Sequence, residues 1–208
     1  MDLSKWLQRG RQKRTIAQVL LKPMTPSHIL VKAQRFNPHI QLRDIWRLLG
    51  QFERQGLAFC INPKQVTGKL YFLTDLGRAA VKAAFGQEVA PLPENIDWDA
   101  YARVVRAKVR KLVVIELGKP CGPARARTTS EIRKNLLPGN PIGLNQAIRA
   151  VKELQQQKLI RDAGTTVEGS RKLYQLTPLG RRVVEELKRS PNGSEPPEDD
   201  MKRIASSI

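Results

Sequence analysis

Residues 69–78 read KLYFLTDLGR, and residues 172–181 read KLYQLTPLGR; eight of the ten positions are identical. The likeness extends upstream. LRDIWRLLGQFERQGLAFC (42–60) and LNQAIRAVKELQQQKLIRD (144–162) carry apolar residues at coinciding places: Leu42 and Leu144, Trp46 and Ile148, Leu49 and Val151, Phe52 and Leu154, Leu57 and Leu159. Further up, Thr25-Pro26-Ser27-His28-Ile29 matches Thr128-Thr129-Ser130-Glu131-Ile132, and Arg9, Arg11, Lys13 and Arg14 match Arg106, Lys108, Arg110 and Lys111. The second copy carries about six extra residues near GPARAR (122–127). Because the order of segments is the same in both, the chain reads as a tandem duplication with a period of about 100 residues.

One copy can be read for its elements. Ile16, Val19 and Leu20 stand at i, i+3 and i+4, which predicts a helix over Thr15–Leu21 that Pro23 stops. Thr25 or Ser27 then caps a second helix, which runs to about Asn37-Pro38. A third spans Gln41–Gln55, with Ile45, Trp46, Leu49 and Phe52 read as inward, and ends at Gly56, a residue suited to a left-handed C-terminus. Leu57–Ile61 and Leu70–Leu73 read as the strands of a hairpin whose tip is NPKQVTGK, and Asp75–Ala84 reads as a fourth helix. Copy two repeats this order, with AGTTVEGSR (163–171) as its longer tip. The expected fold class is mainly α with small β-hairpins (α+β).

Three helices followed by a hairpin form the winged helix-turn-helix arrangement. The segment LT-x-x-GR resembles the one that closes the wing in winged-helix regulators of the MarR and PadR type. LLGQFERQGL (48–57) is similar to their recognition helix running into the first wing strand. The resemblance spans nearly all of residues 10–187 and implies two tandem winged-helix domains. Those families carry one winged helix with long dimerising helices, which this chain lacks, so their ligand sensing and dimer geometry do not transfer. The expected organisation is a first domain over 1–85, a linker over 86–97 (GQEVAPLPENID), a second domain over 98–188 and a disordered Pro/Ser/acidic tail over 189–208.

Charge points to the partner. The 208 residues hold 37 Lys+Arg against 19 Asp+Glu, a formal net charge of +18. Residues 1–88 carry +10, residues 89–187 carry +8, and the remainder is neutral. Both repeats are therefore basic, as expected of a protein that releases counterions from a nucleic-acid backbone. Aromatics at 5% argue against a platform for stacking single-stranded bases. No run of about 18 apolar residues occurs, so no membrane partner is expected, and MDLSKWLQRGRQKR has no apolar core of a secretory leader. A cytoplasmic, nucleoid-associated location is the expectation. Cys60 and Cys121 are too few for a disulfide framework or a four-ligand zinc site.

With the third helix oriented as above, Arg43, Asp44, Arg47 and Arg54 face outward in copy one, and Asn145, Gln146, Arg149 and Lys152 in copy two. Arginine pairs with guanine or phosphate, and Asn or Gln with adenine, so Arg43, Arg47, Asn145, Gln146 and Arg149 are the candidate readers. The alternative for each is an ordinary solvated helix position. Lys64, Lys69, Arg171 and Lys172 in the wings suit the minor groove or flanking backbone. Arg11, Lys13, Arg14, Lys108 and Arg110, read as lying before the first helix of each copy, suit phosphates or solvent. Arg78 and Arg181 read as structural, and Gly77 and Gly180 as close-packing positions. Tyr71 and Tyr174 read as packing residues. Equivalent helices on one DNA face would stand about 34 Å apart.

No catalytic constellation is found. His28 and His39 lack companions at ligand spacing, and neither GxxxxGK[ST] nor GxGxxG occurs. No enzyme activity, cofactor or metal is expected. The function expected is double-stranded-DNA binding by a transcriptional regulator. Rival readings are a replication initiator or partition protein of a mobile element, a protein-interaction scaffold, and an RNA binder. Trp6-Leu7 and the apolar residues of the last helices (Val81, Ala84, Phe85; Val183, Val184, Leu187) leave open a homodimer contact or packing between the domains.

Overall fold

A computed structural model describes residues 2–119, 126–136, 142–166, 169 and 171–189. The predicted tail beyond Arg189 (which itself ends the last helix), Cys121 and most of the GPARAR segment lie outside the described residues. The elements run α1 (Leu3–Gln8), α2 (Arg11–Val19), α3 (Pro26–Ala33), α4 (Leu42–Arg54), β1 (Ala58–Cys60), β2 (Tyr71–Leu73) and α5 (Asp75–Phe85). They continue α6 (Trp98–Arg106), α7 (Lys108–Leu117), α8 (Thr129–Leu136), α9 (Leu144–Gln156), β3 (Ile160–Thr165), β4 (Lys172–Leu176) and α10 (Pro178–Arg189). The architecture is mostly helical with two small antiparallel hairpins, an α+β fold.

The chain divides into two compact units, Met1–Lys108 and Val109–Ile208. This division falls after α6, whereas the sequence places the boundary at 97/98, before it. Arg106, the last residue of α6, ties it to the first unit: its Nη1 donates to Thr67 Oγ1 in the β1–β2 loop (2.6 Å).

In the first unit the hairpin registers Ala58 with Leu73, Phe59 with Phe72 and Cys60 with Tyr71. Met24 and Tyr71 exchange backbone hydrogen bonds and so add a one-residue third strand. The core gathers Leu7, Ile16, Leu20, Ile29, Ile45, Leu49, Phe52 and Val81 from α1 to α5 and the end of α2. The second unit has the same order: Arg127 and Tyr174 form the equivalent bridge, and Ile160 pairs with Leu176.

The repeated T-x-x-G has a physical cause. Thr74 caps α5: its Oγ1 accepts from Gly77 N (3.0 Å) and donates to Gly56 O (2.5 Å). Thr177 does the same for α10, accepting from Gly180 N (3.1 Å) and donating to Lys158 O (2.7 Å). A Cβ on Gly77 would lie 1.9 Å from Leu57 O, and one on Gly180 2.1 Å from Leu159 O. Only glycine lets α5 and α10 start this close to the chain leaving α4 and α9.

Three sequence expectations change. Helix α1, capped by Asp2 through Ser4 N (3.0 Å) and Lys5 N (3.3 Å), precedes the helix read as first. The basic clusters read as lying before that helix are inside α2 and α7, because those helices begin at Arg11 and Lys108. Trp46 is not inward. Helix α4 buries Ile45, Leu48, Leu49 and Phe52, an i, i+3, i+4, i+7 stripe, which leaves Trp46 on its edge and 44% exposed.

Candidate nucleic-acid interface

Helices α4 and α9 are 13 residues long and are started in the same way. Asp44 Oδ2 accepts from Gln41 N (3.0 Å). Gln146 Oε1 accepts from Gly143 N (3.2 Å). Both side chains thus fold back over the helix N-terminus, satisfying an amide that the helix leaves orphaned. Gln146, read in the sequence as a candidate reader, has its acceptor occupied.

The outward face of α4 then consists of Leu42, Arg43, Trp46 and Arg47, all exposed. On α9 the equivalents are Leu144, Asn145, Ile148 and Arg149, with Ile148 half-buried and the others exposed. Arg43 and Asn145 have no hydrogen-bond or ion-pair partner among the described residues. Trp46 packs edge-on against Tyr71 (centroids 6.0 Å, planes at 82°). Burial of Tyr71 pushes its phenol up to about 12, so Tyr71 is a neutral support beneath the helix.

Arg47 and Arg149 are both held by side-chain partners. Arg47 Nη2 donates to Gln12 Oε1 of α2 (2.8 Å) and lies 3.6 Å from Asp44. Arg149 Nε donates to Glu153 Oε1 (3.0 Å), and Glu153 also pairs with Arg110 of α7 (3.3 Å). Both guanidiniums remain exposed, at 53% and 83% of the side chain. Each keeps most of its five N–H donors free. Gln12 and Glu153 are contributors that sequence reading missed; the i, i+4 spacing of Arg149 and Glu153 was the available signal.

The remaining candidates separate into exposed and engaged groups. Lys64 is exposed in the β1–β2 loop, and Lys69 is half-buried near the start of β2. Arg171 is exposed before β4, and Lys172 lies 3.7 Å from Asp162 across its hairpin. Lys108 is exposed at the start of α7. Arg11 and Arg14 are internal ties: Arg11 Nη2 donates to Phe36 O (3.0 Å) and Arg14 Nη2 to Gln8 O (3.3 Å). Lys13 lies over the Trp6 ring, 4.2 Å from its centroid, a cation–π contact. Arg110 is largely buried against Glu153. Burial pushes the Lys111 ammonium below its usual range. The basic cluster therefore partly braces helices, and exposed cations stand at Arg11 and Lys108 as well as on the outward helix faces and hairpin loops. Arg78 pairs with Asp75 (2.9 Å), whereas Arg181, with Pro178 at the matching position, is exposed.

Among the described residues no helix is long and apolar enough to cross a membrane. None of the known protein families matches the chain, and no curated protein does. Two solved structures of Lactococcus lactis ZitR, both of a cysteine-and-histidine double mutant, are weakly similar. The apo form shares 19% identity, with a TM-score of 0.35 over 49% of this chain and 68% of that one. The other shares 18%, with a TM-score of 0.34 over 48% and 71%.

Proposed function

We propose that the chain is a DNA-binding regulator built of two tandem winged-helix domains, a binding protein rather than an enzyme. It docks on double-stranded DNA with α4 and α9 and with the two hairpin loops as wings. The observation that carries this reading is the pair Arg47 and Arg149: equivalent, exposed, and each held in place on the outward face of α4 or α9. A chain of +18 supplies the attraction to phosphate. The open Lys64 and Arg171 of the loops supply flanking backbone contacts. Transcriptional regulation is the task this suits best; replication initiation or partition uses the same docking. The exposed Leu42, Trp46 and Leu144 favour the scaffold as the second reading, since exposed apolar side chains also serve protein contacts.

The test is binding of the full chain to a labelled 30-base-pair random duplex across 50–300 mM salt, with Arg47→Ala/Arg149→Ala alongside. The expected result is affinity that falls steeply with salt and is weakened in the variant. Absence of binding at the lowest salt moves the weight to the scaffold. Single-stranded RNA bound more tightly than duplex moves it to RNA.

A further inference from the structure

The outward faces of α4 and α9 match at three of four positions in chemical type. Leu42 and Leu144 are 40% and 43% exposed, large apolar groups at the first helical residue of each. Trp46 and Ile148 follow one turn later, and Arg47 and Arg149 beside them. The fourth position differs: Arg43 stands where Asn145 stands. The next pair, Asp44 and Gln146, is withdrawn from reading by the capping bonds to Gln41 N and Gly143 N.

Each type has a distinct complement in the major groove. A guanidinium forks onto guanine O6 and N7, a carboxamide pairs with adenine N6 and N7, and an exposed apolar group packs on the thymine methyl. The N-terminal turns of the helix are the part that enters the groove. Arg149 is held through Nε, which leaves both terminal nitrogens for a fork. Arg47 is held through one N–H of Nη2.

We infer that the chain recognises an asymmetric duplex site whose two half-sites share a thymine-flanked guanine and differ at one base pair, guanine opposite Arg43 and adenine opposite Asn145. The inference rests on the DNA reading above and names its substrate. The shared guanine is read by Arg47 and Arg149. The shared thymine methyls pack on Leu42 and Trp46, and on Leu144 and Ile148. A single base pair then fixes which repeat occupies which half.

The test is selection from a random duplex library by the full chain and by Arg43→Asn and Asn145→Arg. Both positions are exposed, so the swaps leave the core untouched. The expected result is one differing position in the parent's site, adenine in both halves for Arg43→Asn, and guanine in both for Asn145→Arg. Exchanging that base in the parent's site should cost about 5- to 150-fold in affinity. Replacing the shared thymines by uracil, which lacks the methyl, should cost about 3- to 5-fold each. Selected sites that the swaps leave unchanged, or binding without sequence preference, overturn the inference while leaving DNA binding standing. Failure to bind any duplex at 50 mM salt overturns the DNA reading itself.

Discussion

Glu116 is 1% exposed in α7, and its carboxylate is enclosed by cations and a donor. Arg127 Nη1 meets Oε1 and also donates to the Glu116 carbonyl (2.9 Å), Asn135 Nδ2 donates to Oε1 (2.9 Å), and Lys119 lies 2.6 Å from Oε2. In the first repeat the matching positions are Val19 and Met24, both buried. The chain thus holds an ionic and an apolar solution to the same junction. Breaking a buried pair by removing one partner leaves an uncompensated charge and costs about 3–5 kcal/mol. Replacing both with apolar residues of similar volume is often neutral or stabilising by about 1–4 kcal/mol. Glu116→Val strands the buried Arg127 guanidinium and should therefore destabilise the second unit by about 3–5 kcal/mol, a fall in its midpoint of at least about 12 °C. Arg127→Met should cost less, because Lys119 and Asn135 still face the Glu116 carboxylate. The double variant, which installs the first repeat's residues, should lie within about 2 kcal/mol of the parent or above it. Asn135 is exposed and regains water. The assay is urea-dependent hydrogen exchange of the full chain, with peptides over 126–136 and 172–189 as readout and peptides of the first unit as internal control. Single variants costing under about 1 kcal/mol each, or a double variant losing the sum of the singles, would refute the reasoning.

Gly77→Ala and Gly180→Ala should each cost about 1–3 kcal/mol or more, because the added Cβ would meet a backbone carbonyl that cannot step aside; denaturant melts of each variant check this. Tyr71 is raised in the folded state to about 12, so it favours the fold below its ordinary value of about 10 and withdraws that support as pH rises from 10 through 12. The parent's urea midpoint should therefore fall between pH 9.5 and 11.5 more than that of Tyr71→Phe. Glu153→Gln removes the anion that holds Arg149, so it should raise affinity for non-specific duplex while lowering the ratio of specific to non-specific binding; an unchanged ratio speaks against the holding role.

Periodicity and repetition carried the fold a long way. The near-identity of 69–78 and 172–181 marked strand, cap and helix in both copies, and the capping threonines and the carbonyls facing Gly77 and Gly180 explain why those letters recur. Apolar content alone misplaced Trp46. Residues advance 100° per position on a helix, so Ile45 and Trp46 cannot both lie at the centre of one stripe. Leu48 completes the stripe instead. Helix α1 is legible in Leu3, Trp6 and Leu7 behind Asp2, but at six residues it is too short for its apolar period to stand out. The partners of those basic residues were not legible. Whether Arg11 reaches a carbonyl of the α3–α4 connection or a phosphate depends on tertiary placement, and the same holds for Gln12 under Arg47 and Arg127 beside Glu116.

The most direct measurement of the central claim is photocrosslinking of the full chain to a duplex carrying 5-iodouracil in place of thymine, followed by mass spectrometry of the attached peptides. The account expects crosslinks within 42–47, centred on Trp46, and within 144–149. Crosslinks confined to α5, α10 or residues outside both helices and both hairpin loops would contradict it.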